Sequence, residues 1–378
     1  MLDFLSGVWG YGVPFLIVLT AVVFVHELGH YLMARRYGVR VEIFSIGFGP
    51  EIYGWTDKKG TRWKFSAIPL GGFVKMFGDA DPASRPDRGL QSMTPEQKAV
   101  SFHFKRVHQR MGVVFGGPAA NFIFAIVLLA GLFMIVGQPS TPPDIGSVQE
   151  GSAAEAAGLK PGDVIVSIDG SRVARFEDIQ RVVRDQPGIP LAVILQRDGR
   201  ELALTATPRP TELTDRFGNT QRIGLLGIGR AGMTFIRHDP VTAVWYAARE
   251  TYFLSVGTLK AVGQIIAGTR TAGELGGPLR IAQMSGNMAE QGVVSLIWFI
   301  AVLSVNLGLI NLFPVPMLDG GHLMFYSIEA LRGRPLGQRA QEYGFRIGLA
   351  LVFALMLFVT WNDLVQLKVV AFFEELLT

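Results

Sequence analysis

The 378-residue chain contains no cysteine. That absence excludes disulfides, a thiolate metal site and a cysteine nucleophile, and leaves the compartment open, because a domain with an adequate core needs no disulfide. Charge is also scarce: Asp, Glu, Lys and Arg make up 17% of the residues against 49% hydrophobic ones, and the mean hydropathy is +0.33. Composition therefore points to a membrane protein. No basic stretch precedes the first apolar run and no small-residue cleavage site follows it, so that run reads as a retained anchor and not a signal peptide. The basic residues are not gathered on an aromatic-studded domain and the net charge is only +4, so nucleic acid is not an expected partner.

What the chain does have is four apolar stretches, about Val13 to Ala34, Met111 to Val136, Val293 to Phe313 and Gly344 to Val359. Each approaches the ~20 residues needed to cross a hydrocarbon core of ~30 Å. Basic residues flank them unequally. Arg35, Arg36, Arg40, Lys58, Lys59, Arg62 and others up to Arg110 lie between the first two stretches, Arg332, Arg334 and Arg339 between the last two, and none before the first. By the positive-inside rule both of these loops are cytoplasmic, and the two termini lie outside.

The first stretch reads PFLIVLTAVVFVHELGHYLMA. On a helix, residues four apart share a face, so His26 and His30 can point at one metal ion while Glu27 reaches a water bound to it. Ionisable groups in an apolar helix cost several kcal/mol unless a metal or partner compensates them. The competing reading, a core helix with two satisfied histidines, explains the spacing less well. At 1.5 Å per residue His26 lies ~20 Å along the helix, roughly 10 Å short of the cytoplasmic surface, so the other spans must enclose a polar cavity.

Residues Val39 to Phe77 read as a β-hairpin about a turn at Asp57 to Gly60, with Gly71 and Gly72 allowing close backbone approach near the site. An exposed strand edge there could pair with an extended substrate, or the hairpin merely packs on the helices from the cytoplasmic side. In the second span Gly116, Gly117 and Pro118 are expected to break or narrow the helix near its cytoplasmic end and to permit close helix contact, and Asn121 is a polar residue that could bond across to the site, to a substrate carbonyl or, structurally, to a neighbouring helix. His103 and His108, just before that span, read as interfacial. Strand signals at Val164–Ile168, Leu191–Gln196 and Leu202–Thr207 and a helix over Phe176–Arg184 predict a small exterior domain, followed by a Gly-rich linker over Thr211–Gly232. A helix over Pro240–Ala267 is expected, either along the outer membrane surface or as a core helix under the small exterior domain. The third span ends in SVNLGLINLFPVPMLDGGH, where Asn and Pro break the helix; irregular backbone at that depth survives where it is buried or lines a polar cavity. Asp319 arrives there on the same side as His30 and is the expected third zinc ligand, with the fourth position left for water and His322 as its rival.

Two resemblances organise these parts. Gly151-Ser152-Ala153-Ala154, Ala157-Gly158-Leu159, Pro161-Gly162-Asp163-Val164-Ile165 and Ile168-Asp169-Gly170 resemble a bacterial PDZ domain over about Ile145 to Pro208. HELGH, Gly116-Gly117-Pro118 and the run from Asn311 to Gly320 together resemble the site-2 protease family, in its bacterial RseP/RasP-type branch, and Pro69 to Met76 is similar to that family's membrane-associated hairpin. The well-known Gram-negative members carry two PDZ domains in tandem, whereas one is evident here.

The resemblance implies a polytopic α-helical membrane protein of about four transmembrane helices, with a membrane-associated β-hairpin and an inserted α+β PDZ-like domain. It implies an intramembrane zinc metalloendopeptidase of the bacterial inner membrane. One Zn2+ would be held by His26, His30 and Asp319, with Glu27 as general base and Asn311 touching substrate; Gly71, Gly72 and Asn121 are further candidate substrate contacts. Single-pass membrane proteins such as anti-sigma factors or remnant signal peptides would be the substrates, in regulated intramembrane proteolysis, and the PDZ-like domain would bind a peptide or carboxyl terminus or exclude bulk. The expected domains are 1–137 (two spans, HExxH motif, hairpin), 138–210 (PDZ-like, exterior), 211–292 (linker and amphipathic helices) and 293–378 (two spans with the LDG motif). The alternative is a non-catalytic membrane scaffold that recruits partners through its PDZ-like domain.

Overall fold

A computed structural model describes residues 2–79, 92–214, 220–269, 271, 273 and 276–366. Helix α1 (Leu2–Arg36) carries the HELGH motif near its end, where Arg35 and Arg36 complement the helix dipole in the last turn. The chain then reverses into β1 (Val41–Thr56) and β2 (Arg62–Met76), joined by a turn in which the Asp57 carboxylate accepts bonds from the Lys59 and Thr61 N–H groups and from Trp63 Nε1, at 2.8, 3.0 and 3.0 Å. Burial pushes the Asp57 carboxyl up, but these bonds outweigh it and hold it below its ordinary range.

The hairpin folds back on itself. Residues 43–46 of β1 pair on one side with 62–65 and on the other with 72–75, so 72–75 becomes the outer strand of a small sheet. Tyr31, Val41, Phe44, Val74, Met76, Phe102 and Val113 form the apolar cluster that docks this sheet on α1, and Phe44 stacks on Trp63 at 4.3 Å. After the short α2 (Pro95–Val100), helix α3 (Val107–Ile135) follows and runs unbroken through Gly116, Gly117 and Pro118, where a break was expected.

The chain divides into two compact units, residues 1–131 with 244–378, and residues 132–243. The second unit is β-rich: β3 (Gln138–Ser140), β4 (Ile145–Val148), α4 (Ala153–Ala156), β5 (Val164–Ile168), β6 (Ser171–Arg172), α5 (Phe176–Asp185), β7 (Leu191–Arg197), β8 (Arg200–Ala206), β9 (Arg209–Thr214), β10 (Thr220–Leu225), β11 (Ile228–Arg230) and β12 (Thr234–Ile236). Its four-stranded sheet has the order β6-β5-β7-β8. Leu191, Val193 and Leu195 alternate inward along β7, as the two-residue period of a strand requires, and meet Ile165, Ile168 and Ile179. The three strands and the helix expected from the pattern all form. The segment Thr211–Gly232, expected as a linker, instead contributes strands: β11 pairs with β4, and Leu226 is buried in the same core. Glycine composition read as flexibility where it serves close backbone packing.

The chain then enters α6 (Pro240–Ile266), α7 (Pro278–Glu290), α8 (Val293–Asn311), α9 (Asp319–Arg332) and α10 (Gln338–Gln366). Thr258 Oγ1 donates to Asn306 Oδ1 at 2.9 Å, which ties α6 to the side of α8. Asp363 of α10 accepts from the Gly277 and Arg280 N–H groups and caps α7 from outside that helix. Among the described residues four helices are long and apolar enough to cross a membrane: Trp9–Arg36, Val107–Ile135, Val293–Asn311 and Arg339–Val365. On the last of these Ile347, Leu351, Phe353, Leu355 and Phe358 are exposed, an apolar face that lipid and not water would cover.

Candidate metal centre and active site

The site begins with two helices crossing closely. A Cβ on Gly29 of α1 would lie 2.2 Å from the Gly116 carbonyl oxygen, and one on Gly116 of α3 would lie 2.6 Å from the Gly29 carbonyl oxygen. Glycine at both positions lets the backbones touch, and the turn of α1 on either side of Gly29 then lays His26 and His30 over Gly117. A Cβ at Gly117 would stand 2.3 Å from His30 Nε2, so the ring occupies the space a side chain would take.

Asp319 comes from a different break in regularity. Helix α8 stops at Asn311, and a turn closed by the Leu318 N–H on the Val315 carbonyl leads into α9, whose first residue is Asp319. Pro316 and Met317 are the central residues of that turn, and Met317 is held at φ +92°, a conformation in which residues other than glycine are strained. The carboxylate therefore reaches the histidines from a stiff, tightly turned segment.

The three groups converge. His26 Nε2 and His30 Nε2 are 3.2 Å apart and lie 3.1 and 3.5 Å from Asp319 Oδ2. Ligands bound about 2.1 Å from a tetrahedral zinc ion are about 3.4 Å apart, so the spacing matches the edges of such a site. The hydrogen bonding agrees. His30 Nδ1 faces the Val113 carbonyl at 3.0 Å, an acceptor, so the proton sits on Nδ1 and the Nε2 lone pair points at Asp319. Asp319 Oδ2 is buried without a hydrogen-bond partner. Lone pairs aimed at one another are what a cation reconciles, and the donor set of two imidazole nitrogens and a carboxylate suits zinc.

A cavity of about 290 Å³ opens beside this cluster. Its walls bring together His26, Glu27, His30, Asn311, Asp319 and the Gly71–Val74 segment, with Phe48, Leu307 and Met317 supplying apolar surface. Glu27 is half-buried, and Gly72 packs so near it that a Cβ there would be 3.2 Å from Glu27 Cγ. His322 also lines the cavity but is not part of the converging trio, and its ring lies tilted against Phe345 at 5.4 Å. His103 pairs with Asp79 at 2.9 Å. Asn121 is fully buried, does not line the cavity, and sits behind His26 with Nδ2 3.3 Å from His26 Nδ1. The Val113 carbonyl and the Met317 turn were not legible beforehand: a backbone oxygen leaves no residue-type signal, and Met is an unusual choice for a turn that favours glycine.

Comparison with known proteins agrees with the geometry. The model of peptidase family M50 matches residues 14–355. A protein of Agrobacterium fabrum provisionally named a zinc metalloprotease is 50% identical over 363 residues, 95% of this chain and 96% of its own length. Metalloprotease MmpA of Caulobacter vibrioides is 40% identical, covering 97% of this chain and 98% of that protein. A PDZ domain structure from Listeria monocytogenes covers 24% of this chain and 87% of its own, at 16% identity and a TM-score of 0.19. With a family match over most of its length, a close cluster of two histidines and an aspartate, and four apolar helices, this chain belongs to peptidase family M50 and is a zinc metalloprotease embedded in the membrane.

Proposed function

We propose that the chain is an intramembrane endopeptidase that cuts single-pass membrane segments, such as anti-sigma factors or remnant signal peptides, in regulated intramembrane proteolysis. The observation that carries this reading is the convergence of His26, His30 and Asp319 beside a cavity that also holds Glu27, within a bundle of apolar helices. His26, His30 and Asp319 would hold one zinc ion. Bound zinc supplies Lewis acidity, polarising the scissile carbonyl and easing deprotonation of water. Glu27 takes the proton from the attacking water and passes it to the leaving amide nitrogen.

A transmembrane helix cannot be cut while its carbonyls are hydrogen-bonded within it, so the substrate must be held extended. The 72–75 strand offers the template: one side pairs with 43–46, and Gly72, Phe73 and Val74 line the cavity. Strand addition there would seat the scissile bond beside Glu27, and Asn311 would hydrogen-bond the substrate backbone. The charge asymmetry of the loops supports an inner-membrane protein with both termini and the β-rich unit exterior and the site nearer the cytoplasmic side.

The test is purified protein in nanodiscs with a model single-pass substrate. Wild type should hold one zinc and cleave, Glu27→Gln should hold zinc without cleaving, and Asp319→Ala should lose zinc. A Glu27→Gln variant with wild-type turnover would refute the assignment. A second role for the β-rich unit rests on a groove of about 260 Å³ between α5 and residues 223–228, lined by Ile179, Val183, Leu225 and Ile228. It suits an extended peptide or carboxyl terminus added beside β11. Titration with a free-carboxylate peptide library would show saturable binding, and no binding would leave this unit as a size filter.

A further inference from the structure

Both histidines of the site need their outer ring nitrogen, Nδ1, to carry the proton if Nε2 is to bind metal. For His30 the acceptor is the Val113 carbonyl. For His26 the polar group behind the ring is the Asn121 side-chain amide, eight residues further along the same helix α3. In its present orientation the amide turns Nδ2, a donor, toward His26 Nδ1 at 3.3 Å, while Asn121 Oδ1 is buried with no hydrogen-bond partner. A half turn of the amide exchanges two nearly isosteric atoms within the same space. It brings Oδ1 onto the Nδ1–H of His26 and removes the conflict between two donors.

We infer that Asn121 is a positioning residue: its Oδ1 accepts the Nδ1–H of His26 and so fixes the tautomer that presents Nε2 to the metal. The inference rests on the metal-site reading proposed above and changes the expected role of Asn121 from substrate contact to support of a ligand. Its surroundings suit a fixed role. The Asn121 backbone carbonyl accepts from Ser304 Oγ of α8 at 2.9 Å, and Gly308 on that helix leaves room for its Cβ, since a Cβ at Gly308 would stand 3.2 Å away. Full burial and absence from the cavity wall separate Asn121 from any group that touches a peptide. Helix α3 thus supplies both partners that orient the histidines of α1, a carbonyl at position 113 and an amide at position 121.

The experiment uses the full chain in nanodiscs and reads zinc affinity by chelator competition and the visible spectrum of the Co2+-substituted protein, neither of which depends on turnover. Asn121→Leu, similar in size but without an acceptor, should bind zinc about 10- to 100-fold more weakly, the usual loss for an outer partner of a metal-bound histidine, and shift the Co2+ spectrum. Asn121→Asp keeps an acceptor and should bind zinc at least as tightly as wild type. Wild-type affinity and spectrum in Asn121→Leu would overturn the inference. So would weakened zinc binding in Asn121→Asp, since an amide that acts as a donor to His26 cannot be replaced by a carboxylate; this arm decides the matter if Asn121→Leu does not fold. Loss of cleavage in Asn121→Leu with wild-type zinc affinity would instead make Asn121 a substrate contact. If wild-type protein itself binds no zinc, the proposed function fails, and not the role of Asn121 alone.

Discussion

Replacing Gly117 by alanine adds one methyl group at the floor of the proposed metal site. Its Cβ would stand 2.3 Å from His30 Nε2, 2.6 Å from His30 Cε1 and 2.9 Å from His26 Cε1. Unbonded carbon atoms settle about 3.5–4.0 Å apart, so the His30 ring must retreat by roughly 1 Å. A metal site tolerates displacements of about 0.2 Å in its ligand distances, so the zinc-bound arrangement cannot absorb that shift. The metal-free protein can. Alanine gains about 1 kcal/mol over glycine inside a helix, and swinging His30 off the Val113 carbonyl gives up about 1 kcal/mol of hydrogen bond, so the two nearly cancel. The expected result is a metal-free thermal midpoint close to wild type together with a zinc affinity more than about 100-fold weaker, beyond the loss caused by removing a single outer partner. Differential scanning fluorimetry with chelator and zinc competition read the two quantities on one preparation. Wild-type zinc affinity in Gly117→Ala would refute the claim that the histidine rings lie over Gly117.

The turn before Asp319 makes a paired prediction: Met317→Gly relieves φ +92° and should stabilise the fold by about 1 kcal/mol with zinc retained, whereas Met317→Val, β-branched and unsuited to that conformation, should weaken zinc binding. Gly72→Val would press on the Ser45 carbonyl, Val23 and Glu27, and should lower kcat/KM by about 100-fold while zinc stoichiometry stays at wild type. In the β-rich unit, burial tends to raise the Asp163 carboxyl, but paired bonds from Arg197 at 2.6 and 2.7 Å and the Lys160 N–H hold it below its ordinary value. A depressed carboxylate stabilises the fold above its unfolded pKa of about 3.9 and loses that contribution as pH falls toward its folded value. The protection of β5 and β7 amides, taken relative to their intrinsic exchange rate, should therefore fall below about pH 4, and Asp163→Asn should remove most of that pH dependence.

The spacing of His26, Glu27 and His30 was legible because helical geometry is local: four residues return a side chain to the same face whatever the helix packs against. The four apolar spans and the break after Asn311 were legible for a similar reason, since the solvent each backbone segment can tolerate follows from its own composition. Thr211–Gly232 misled because a glycine-rich run codes equally for slack and for close packing, and only the pairing of β11 with β4 distinguishes them. The single hairpin expected over Val39–Phe77 became a folded sheet because residues 43–46 found partners on both sides, a choice made by the docking of Phe44, Val74 and Met76 on α1 and not by the strand pattern.

The sequence by itself determined the membrane character, the proposed donor residues and the helix that carries two of them, all consequences of composition and short-range period. Tertiary structure decided the rest, because contact across hundreds of residues depends on which surfaces can approach. The Gly29–Gly116 crossing set the histidines against α3, the strained turn at Met317 brought Asp319 from the far end of the chain to within 3.5 Å of both, and the carbonyl of Val113 and the amide of Asn121 came to stand behind the rings.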